Sequence, residues 1–183
     1  MILGELVALV KPKKEDMAEL LEWRNNPDHR RYYREYRESN LEDQLQWYEN
    51  IMMKDASWHH FIVKPLDNLN KNIGVVFLNH IHPIYRTGEF GITLGDPQYI
   101  RKGYGKDMLL TLIKYGFEQL NLNRIWCEVY SNNDSVHLYR KIGFKDEGIL
   151  RQHVYKDGKY LDSYMLGMLK NEYEEQYLNI NNH

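Results

Sequence analysis

The stretch that decides the fold is DPQYIRKGYGK at residues 96–106, together with the segments on either side of it. Residues 89–94 read as a strand. A strand, a turn with Gly103 and Gly105, and a helix start direct several backbone N–H groups at one point, where the helix dipole adds partial positive charge. The pattern predicts a phosphate-binding turn. Apolar residues after the turn recur on one helix face, at Met108, Leu109, Leu112, Ile113, Phe117 and Leu120.

A second motif, SNNDSVHLYRKIGF, follows a predicted strand at residues 124–130 and occupies residues 131–144. Its Asn, Asp and Ser residues are typical of a helix N-cap, and Gly143 can end the helix in the left-handed conformation. We therefore predict a short helix over this motif.

Together the two motifs resemble the GNAT superfamily of acyl-CoA-dependent N-acetyltransferases. In the family's phosphate turn, Q/R-x-x-G-x-G/A, Ile100 stands where Gln or Arg is usual, and Ser135 stands where the second signature has alanine. The resemblance spans about residues 6–172 and is closest to the branch of ribosomal-protein N-terminal, spermidine and amino-sugar acetyltransferases. The signature N-x-x-A-x-x-L-Y-x-K-x-G-F is matched at Asn132, Leu138, Tyr139, Lys141, Gly143 and Phe144.

The resemblance implies an α/β (α+β) fold in one domain, residues 1–172, followed by a polar tail at 173–183. It implies a mixed central sheet of about six to seven strands and about four flanking helices. The two central parallel strands are expected to splay apart in a V.

Acetyl-CoA is the co-substrate that the resemblance implies. The main chains of Ile92, Thr93 and Leu94 are expected to take up the pantetheine and polarise the acetyl carbonyl. The other expected contacts are Arg101, Lys102, Gly103, Tyr104, Gly105 and Lys106 at the pyrophosphate, and Asn132 and Ser135 from the second motif, with Asn132 at the pantetheine.

Two residues are candidates for catalysis. Tyr139 falls on the family's general acid, but tyrosine has a pKa of about 10 and a thiol of about 8.5, so it acts only if the tyrosinate is stabilised or reprotonated. Glu89 alternates with Phe90 and Ile92, so it points away from the apolar face and is the candidate base, directly or through water. A packing role for Tyr139 and a solvent-exposed Glu89 are the alternatives.

The acceptor pocket of this branch is built largely by the first two helices and the loop between them. Residues 30–38 hold four arginines and two glutamates, a difference of +2. Arg and Tyr suit phosphates and flat rings, so we expect a nucleotide-linked amino sugar as acceptor. The alternatives are a polyamine such as spermidine, a ribosomal-protein N-terminus, a non-catalytic acyl-CoA-binding protein, and a loop that is only solvated. The candidate substrate-binding residues are Arg30, Tyr33, Arg34, Tyr36 and Arg37.

Composition limits the class of protein. The chain has 183 residues, 43% of them hydrophobic, and a formal charge of −2, which argues against general nucleic-acid binding. A single Cys127, no signal peptide and no long apolar stretch lead us to expect a cytoplasmic protein without a membrane partner. The expected partner is a small-molecule or peptide amine, and a homodimer is left open. No metal is expected, because no Cys or carboxylate set accompanies His80 and His82.

The remaining patterns predict helices and a hairpin. Residues 13–26 read as a helix that Pro27 ends, and a capping box at Ser39 predicts a second helix with Leu41 in its buried stripe. Asp157-Gly158 predicts a tight turn between strands at 148–155 and 160–169. Residues 171–183 are polar and expected to fray.

Overall fold

The computed structural model describes residues 1–178 of the chain. Its strands are β1 (Ile2–Leu3), β2 (Val7–Val10), β3 (His59–Pro65), β4 (Gly74–His82), β5 (Thr87–Leu94), β6 (Arg124–Tyr130), β7 (Lys145–Lys156) and β8 (Lys159–Leu169). Its α-helices are α1 (Met17–Asn25), α2 (Pro27–Arg30), α3 (Leu41–Trp47), α4 (Tyr104–Lys114), α5 (Ser135–Ile142) and α6 (Lys170–Tyr173). Short 3-10 segments lie at Lys14–Asp16 and Pro97–Tyr99, and π-helical segments at Tyr48–Met52, Tyr115–Gln119 and Glu174–Leu178.

The eight strands form one mixed sheet in the order β1-β2-β3-β4-β5-β6-β8-β7. This confirms the α/β class. The eighth strand, absent from the expected six to seven, is the two-residue β1, which pairs with β2 at the edge of the sheet. Two of the six described α-helices, α2 and α6, have only four residues each.

The two parallel strands β5 and β6 part in the middle of the sheet. Their residue pairs run from Thr87 opposite Arg124 to Glu89 opposite Trp126. Beyond that point β5 continues to Leu94 and, among residues 1–178, no longer pairs with β6. The other edge of β6 is paired with β8 along its whole length. The expected V-shaped splay is therefore confirmed, and its apex lies at Glu89.

Helix α4 supplies the core on one face of the sheet. Its predicted apolar stripe is fully buried except for Leu120, which is partly buried just beyond the π-helical continuation. Each large apolar side chain removed from water contributes roughly 1.5–3 kcal/mol, so this face is the main source of stability. A smaller cluster of Met17, Leu20 and Ile62 lies on the opposite face, under α1 and α3.

The structure shifts the predicted N-terminal helices by a few residues. The predicted helix at 13–26 is a 3-10 turn followed by α1, which ends at Asn25 just before Pro27, as predicted. Pro27 itself occupies the first turn of α2. This fits proline chemistry, because the first helical position needs no N–H donor.

The predicted start of α3 is wrong by one position. Asn40 rather than Ser39 has the extended backbone of an N-cap, and its side chain accepts a hydrogen bond from the Asp43 N–H at 2.9 Å. The helix therefore exposes 44% of Leu41, and it buries Gln44, which is 2% exposed. The Gln44 amide faces the sulfur of Met17 at 3.9 Å, so a polar residue occupies the predicted apolar stripe.

The expectation of a fraying C-terminus is wrong for the described part of it. Tyr173 in α6 is buried and stacks on Phe117 with ring centroids 5.0 Å apart. The Tyr177 hydroxyl donates to the Ile142 carbonyl at 2.6 Å. Aromatic contacts thus hold a segment whose composition is otherwise polar. Residues 179–183 lie outside the described residues.

The hairpin turn is confirmed. Asp157 and Gly158 join Lys156 to Lys159 with φ values of 50° and 77°, the left-handed conformation that a two-residue type I′ turn requires.

Asp107, in the first turn of α4, ties that helix to the N-terminal strands. The buried carboxylate accepts hydrogen bonds from the backbone N–H groups of Glu5, Leu6 and Val7 at 3.1, 2.8 and 3.0 Å. We expect Asp107→Ala to lower the free energy of unfolding by roughly 2–4 kcal/mol, because it leaves these donors without an acceptor. Urea denaturation measures the change, with Asp67→Ala in an exposed loop as the control. A loss no larger than that of the control would contradict this role.

Candidate active site

A cavity of about 400 Å³ opens where β5 and β6 part, reaching from α1 and α3 on one face of the sheet to Tyr139 of α5. Much of its lining is an aromatic wall. His60 is part of this wall and stacks on Trp58 with ring centroids 5.5 Å apart. Burial, assisted by the charge of His59, lowers the pKa of His60 to about 3, so its ring is neutral at physiological pH. We define the aromatic wall as Trp23, Tyr32, Tyr33, Trp47, Trp58, His60 and Phe77.

Two carboxylates lie in the cavity at the splay, Glu89 from β5 and Glu128 from β6. Their side chains are only 8% and 7% exposed. The Arg34 guanidinium bridges them, with Nη2 at 2.5 Å from Glu89 Oε1 and 2.8 Å from Glu128 Oε2. Nη1 and Nε add further contacts, at 3.1 Å each, to Oε2 of Glu89 and Oε2 of Glu128. The guanidinium therefore makes paired contacts with both carboxylates.

Histidines contact both carboxylates as well. His80 Nδ1 lies 3.0 Å from Glu89 Oε2, and His153 Nδ1 lies 2.8 Å from Glu128 Oε1. Burial alone would raise the pKa of Glu128, but the Ser163 hydroxyl and Arg34 outweigh it and hold that pKa below its usual value. Sequence reasoning missed Glu128. The signal that could have found Glu128 is the alternation of β6, because its side chain points to the opposite face from those of Cys127 and Val129.

Tyr139 lies at the other end of the cavity. It is 7% exposed, and its ring meets Phe90 edge-to-face with centroids 5.1 Å apart. Burial raises the pKa of the Tyr139 phenol well above its usual value, and the neighbouring Cys127 adds to the shift. The phenol is therefore protonated and available as a hydrogen-bond donor.

The predicted phosphate-binding turn has the expected conformation. Gly103 caps the N-terminus of α4 with φ of 90°, and Arg101 also has positive φ, 59°. A Cβ built on Gly105 would meet nothing within 4 Å, so there is open space beside the first turn. The side chains of Arg101, Lys102 and Lys106 form no ion pair within residues 1–178. Ile100 is 48% exposed beside them.

The edge of β5 that faces the splay is the other expected cofactor contact. It includes Ile92, Thr93 and Leu94, which pair with β4 but not, in the described structure, with β6. The Thr93 side chain is held separately, because its hydroxyl lies 2.8 Å from the Tyr33 hydroxyl. The main chain on this side is therefore open to a ligand.

The second motif differs in detail from the expectation. Asn132 is exposed in the turn before α5, and Asn133 lines the cavity instead. The Ser135 N–H already donates to Asn133 Oδ1 at 3.0 Å. Contacts of Asn132 and Ser135 with the cofactor stay predictions.

Residues 30–38, the basic loop, carry less free charge than their sequence suggests. Arg30 pairs with Glu38 at 2.6 Å, and Arg37 pairs with Glu35 at 2.8 Å. The two arginines behind the predicted surplus of +2 are Arg31 and Arg34, and both pair with carboxylates outside the loop: Arg31 with Asp28, and Arg34 with Glu89 and Glu128. Of the five candidate substrate-binding residues, Tyr33 and Arg34 line the cavity, whereas Arg30, Tyr36 and Arg37 lie outside its lining.

The chain is similar in sequence to known acetyltransferases. Residues 7–145 match the family model described as acetyltransferase (GNAT) domain. The uncharacterized N-acetyltransferase p20 of Bacillus licheniformis is 31% identical, over 92% of this chain and 96% of the relative. The spermidine N(1)-acetyltransferase of Vibrio cholerae is 32% identical, over 72% of this chain and 75% of the relative.

A solved structure is similar over nearly its whole length. The crystal structure of spermidine N-acetyltransferase from Vibrio cholerae in complex with CoA and spermine has a TM-score of 0.85 and 26% identity, covering 93% of this chain and 99% of that chain. In the described part of this chain, no helix is long and apolar enough to cross a membrane.

Proposed function

This chain belongs to the GNAT acetyltransferase family, and from that premise we propose that it transfers an acetyl group from acetyl-CoA to a primary amine of a small polyamine. It is an N-acetyltransferase of the GNAT type, and the acceptor is the proposed part. The observation that carries the proposal is the pair of buried carboxylates, Glu89 and Glu128, in an aromatic-walled cavity. Ammonium groups are bound by carboxylates and by aromatic faces.

The residues present fit acetyl-CoA as co-substrate. The open main-chain edge of β5 suits the pantetheine, and the amides at Gly103 and Gly105 suit the pyrophosphate. The basic side chains of Arg101, Lys102 and Lys106, free of ion pairs among the described residues, suit the remaining phosphate charge.

The proposed chemistry needs a proton removed from the amine and a hydrogen bond to the departing thiol. Glu89 at the apex of the splay is the proposed acceptor of the ammonium proton, directly or through water. The neutral amine then attacks the acetyl carbonyl. Tyr139 is the proposed hydrogen-bond donor to the thiolate, and it regains any transferred proton from the amine.

A nucleotide-linked amino sugar is the weaker candidate. That expectation depended on free arginines in the basic loop, and Arg30, Arg34 and Arg37 each have a carboxylate partner. The relatives described as spermidine acetyltransferases also favour the polyamine. The domain limits of 1–172, the polar tail and a homodimer stay predictions.

An acceptor screen tests the proposal. Release of the CoA thiol is measured with spermidine, a nucleotide-linked amino sugar and an N-terminal peptide. We expect kcat/KM to be highest for spermidine. A higher value for the amino sugar or the peptide would overturn the acceptor. CoA binding without thiol release from any amine would indicate a non-catalytic binding protein.

A further inference from the structure

Arg34 stands where an acceptor ammonium would bind. Its guanidinium lies between Glu89 and Glu128 and satisfies both. We propose that Arg34 is a specificity-determining residue: it occupies the ammonium site as an internal competitor, and the acceptor must displace it. This inference rests on the proposed function for its choice of acceptor.

Burial differs sharply between the two sides of this ion pair. The two glutamate side chains are 8% and 7% exposed, whereas the Arg34 side chain is 53% exposed. The carboxylates project from paired strands and are fixed in position. The arginine, on a long side chain with a path to solvent, can leave without exposing apolar core. An incoming cation therefore exchanges with Arg34, while the anions stay where they are.

The backbone that carries Arg34 is held while its side chain is free to exchange. Lys156, at the tip of the β7–β8 hairpin, donates to the Arg31 carbonyl at 3.0 Å and also to the Tyr33 carbonyl. Its ammonium lies 4.8 Å from the centroid of the Tyr130 ring. Displacement of Arg34 is thus a side-chain movement, and the loop need not open.

The exchange sets a charge requirement on the acceptor. Two buried carboxylates lose one guanidinium, which touched both of them. An acceptor with one ammonium group only replaces the positive charge of the guanidinium. An acceptor with two ammonium groups also brings a second positive charge to the second carboxylate. A buried carboxylate that loses its arginine and gains no ammonium in its place is costly, so diamines are favoured over monoamines. In either case His80 remains on Glu89 Oε2, an oxygen that Arg34 also contacts, and His153 remains on Glu128 Oε1.

The test measures amine binding by calorimetry on CoA-saturated protein, with 1,4-diaminobutane and butylamine as a matched pair. The wild type is expected to bind 1,4-diaminobutane more tightly than butylamine. Arg34→Gln removes the competitor, and we expect the Kd for the diamine to fall roughly tenfold or more. Arg34→Lys keeps a positive charge but lacks the planar guanidinium, so its Kd for the diamine is expected to lie between those of the wild type and Arg34→Gln. Arg151→Gln is the control, since Arg151 is exposed and lies outside the cavity lining.

Each outcome decides the matter. An unchanged or raised Kd in Arg34→Gln would overturn the proposal, because a brace or a direct acceptor contact gives those results. Should Arg34→Gln not fold, a Kd in Arg34→Lys equal to or above that of the wild type overturns it instead. Wild-type turnover of spermidine reports separately on the proposed function. Tighter diamine binding by the variant without any acetylation would remove the proposed acceptor but leave Arg34 as the occupant of a cation site.

Discussion

Replacing Tyr139 with phenylalanine is expected to lower kcat by ~10²–10⁴-fold, the typical loss when a positioned proton donor is removed. The ring is almost fully buried and packs edge-to-face on Phe90, and phenylalanine keeps that contact. Because burial holds the phenol protonated, the substitution removes a hydrogen-bond donor and not a charge. Steady-state kinetics with the best acceptor of the screen measure the change, and the affinity for acetyl-CoA should be nearly unaltered.

A matched control is Tyr164→Phe. Tyr164 lies on β8, outside the cavity lining. The Arg140 guanidinium lies over its ring, 5.3 Å from the ring centroid. The Tyr164→Phe variant therefore loses a phenol hydroxyl, as Tyr139→Phe does, but outside the candidate active site. Parent-level kcat in Tyr139→Phe would mean that Tyr139 only packs beneath the cofactor.

Replacing Gly103 with valine is expected to weaken CoA binding by roughly a hundredfold or more, which corresponds to about 2.7 kcal/mol. Two effects act together. A β-branched residue cannot easily adopt the φ of 90° at this position, and its side chain would block close approach of a phosphate to the backbone. Calorimetry with CoA measures the affinity of the folded variant.

The backbone strain has its own control. Gly158→Val introduces a β-branched residue at another positive φ, 77°, in the distant hairpin turn. It should lower the melting temperature to a similar degree and leave CoA affinity unchanged. Gly105→Ala adds a methyl group to open space in α4, so the fold should tolerate it while CoA binding weakens. Unchanged CoA affinity in Gly103→Val would move the pyrophosphate to a different part of the chain.

Local patterns were sufficient for the elements on which the fold depends. The apolar stripe of α4, the alternation of β5 and the Asp157-Gly158 turn are each set by neighbours in the chain, and the structure has all three. The motifs on either side of β6 likewise identified the family. Errors occurred where the alternatives differ little in energy, as with Asn40 and Ser39 at the start of α3.

The charge state of the cavity between β5 and β6 was decided only by the tertiary structure. The sequence of residues 30–38 shows a surplus of arginine. The partners of Arg34, however, lie 55 and 94 residues away in the chain, on two strands that meet only in the folded sheet. Glu128 and the aromatic wall converge in the same way from separate elements. An ion pair depends on distance in space, and separation along the chain carries no information about it. The sequence therefore determined the family and the turn that suits phosphate, and the folded sheet decided which charges in the cavity are paired.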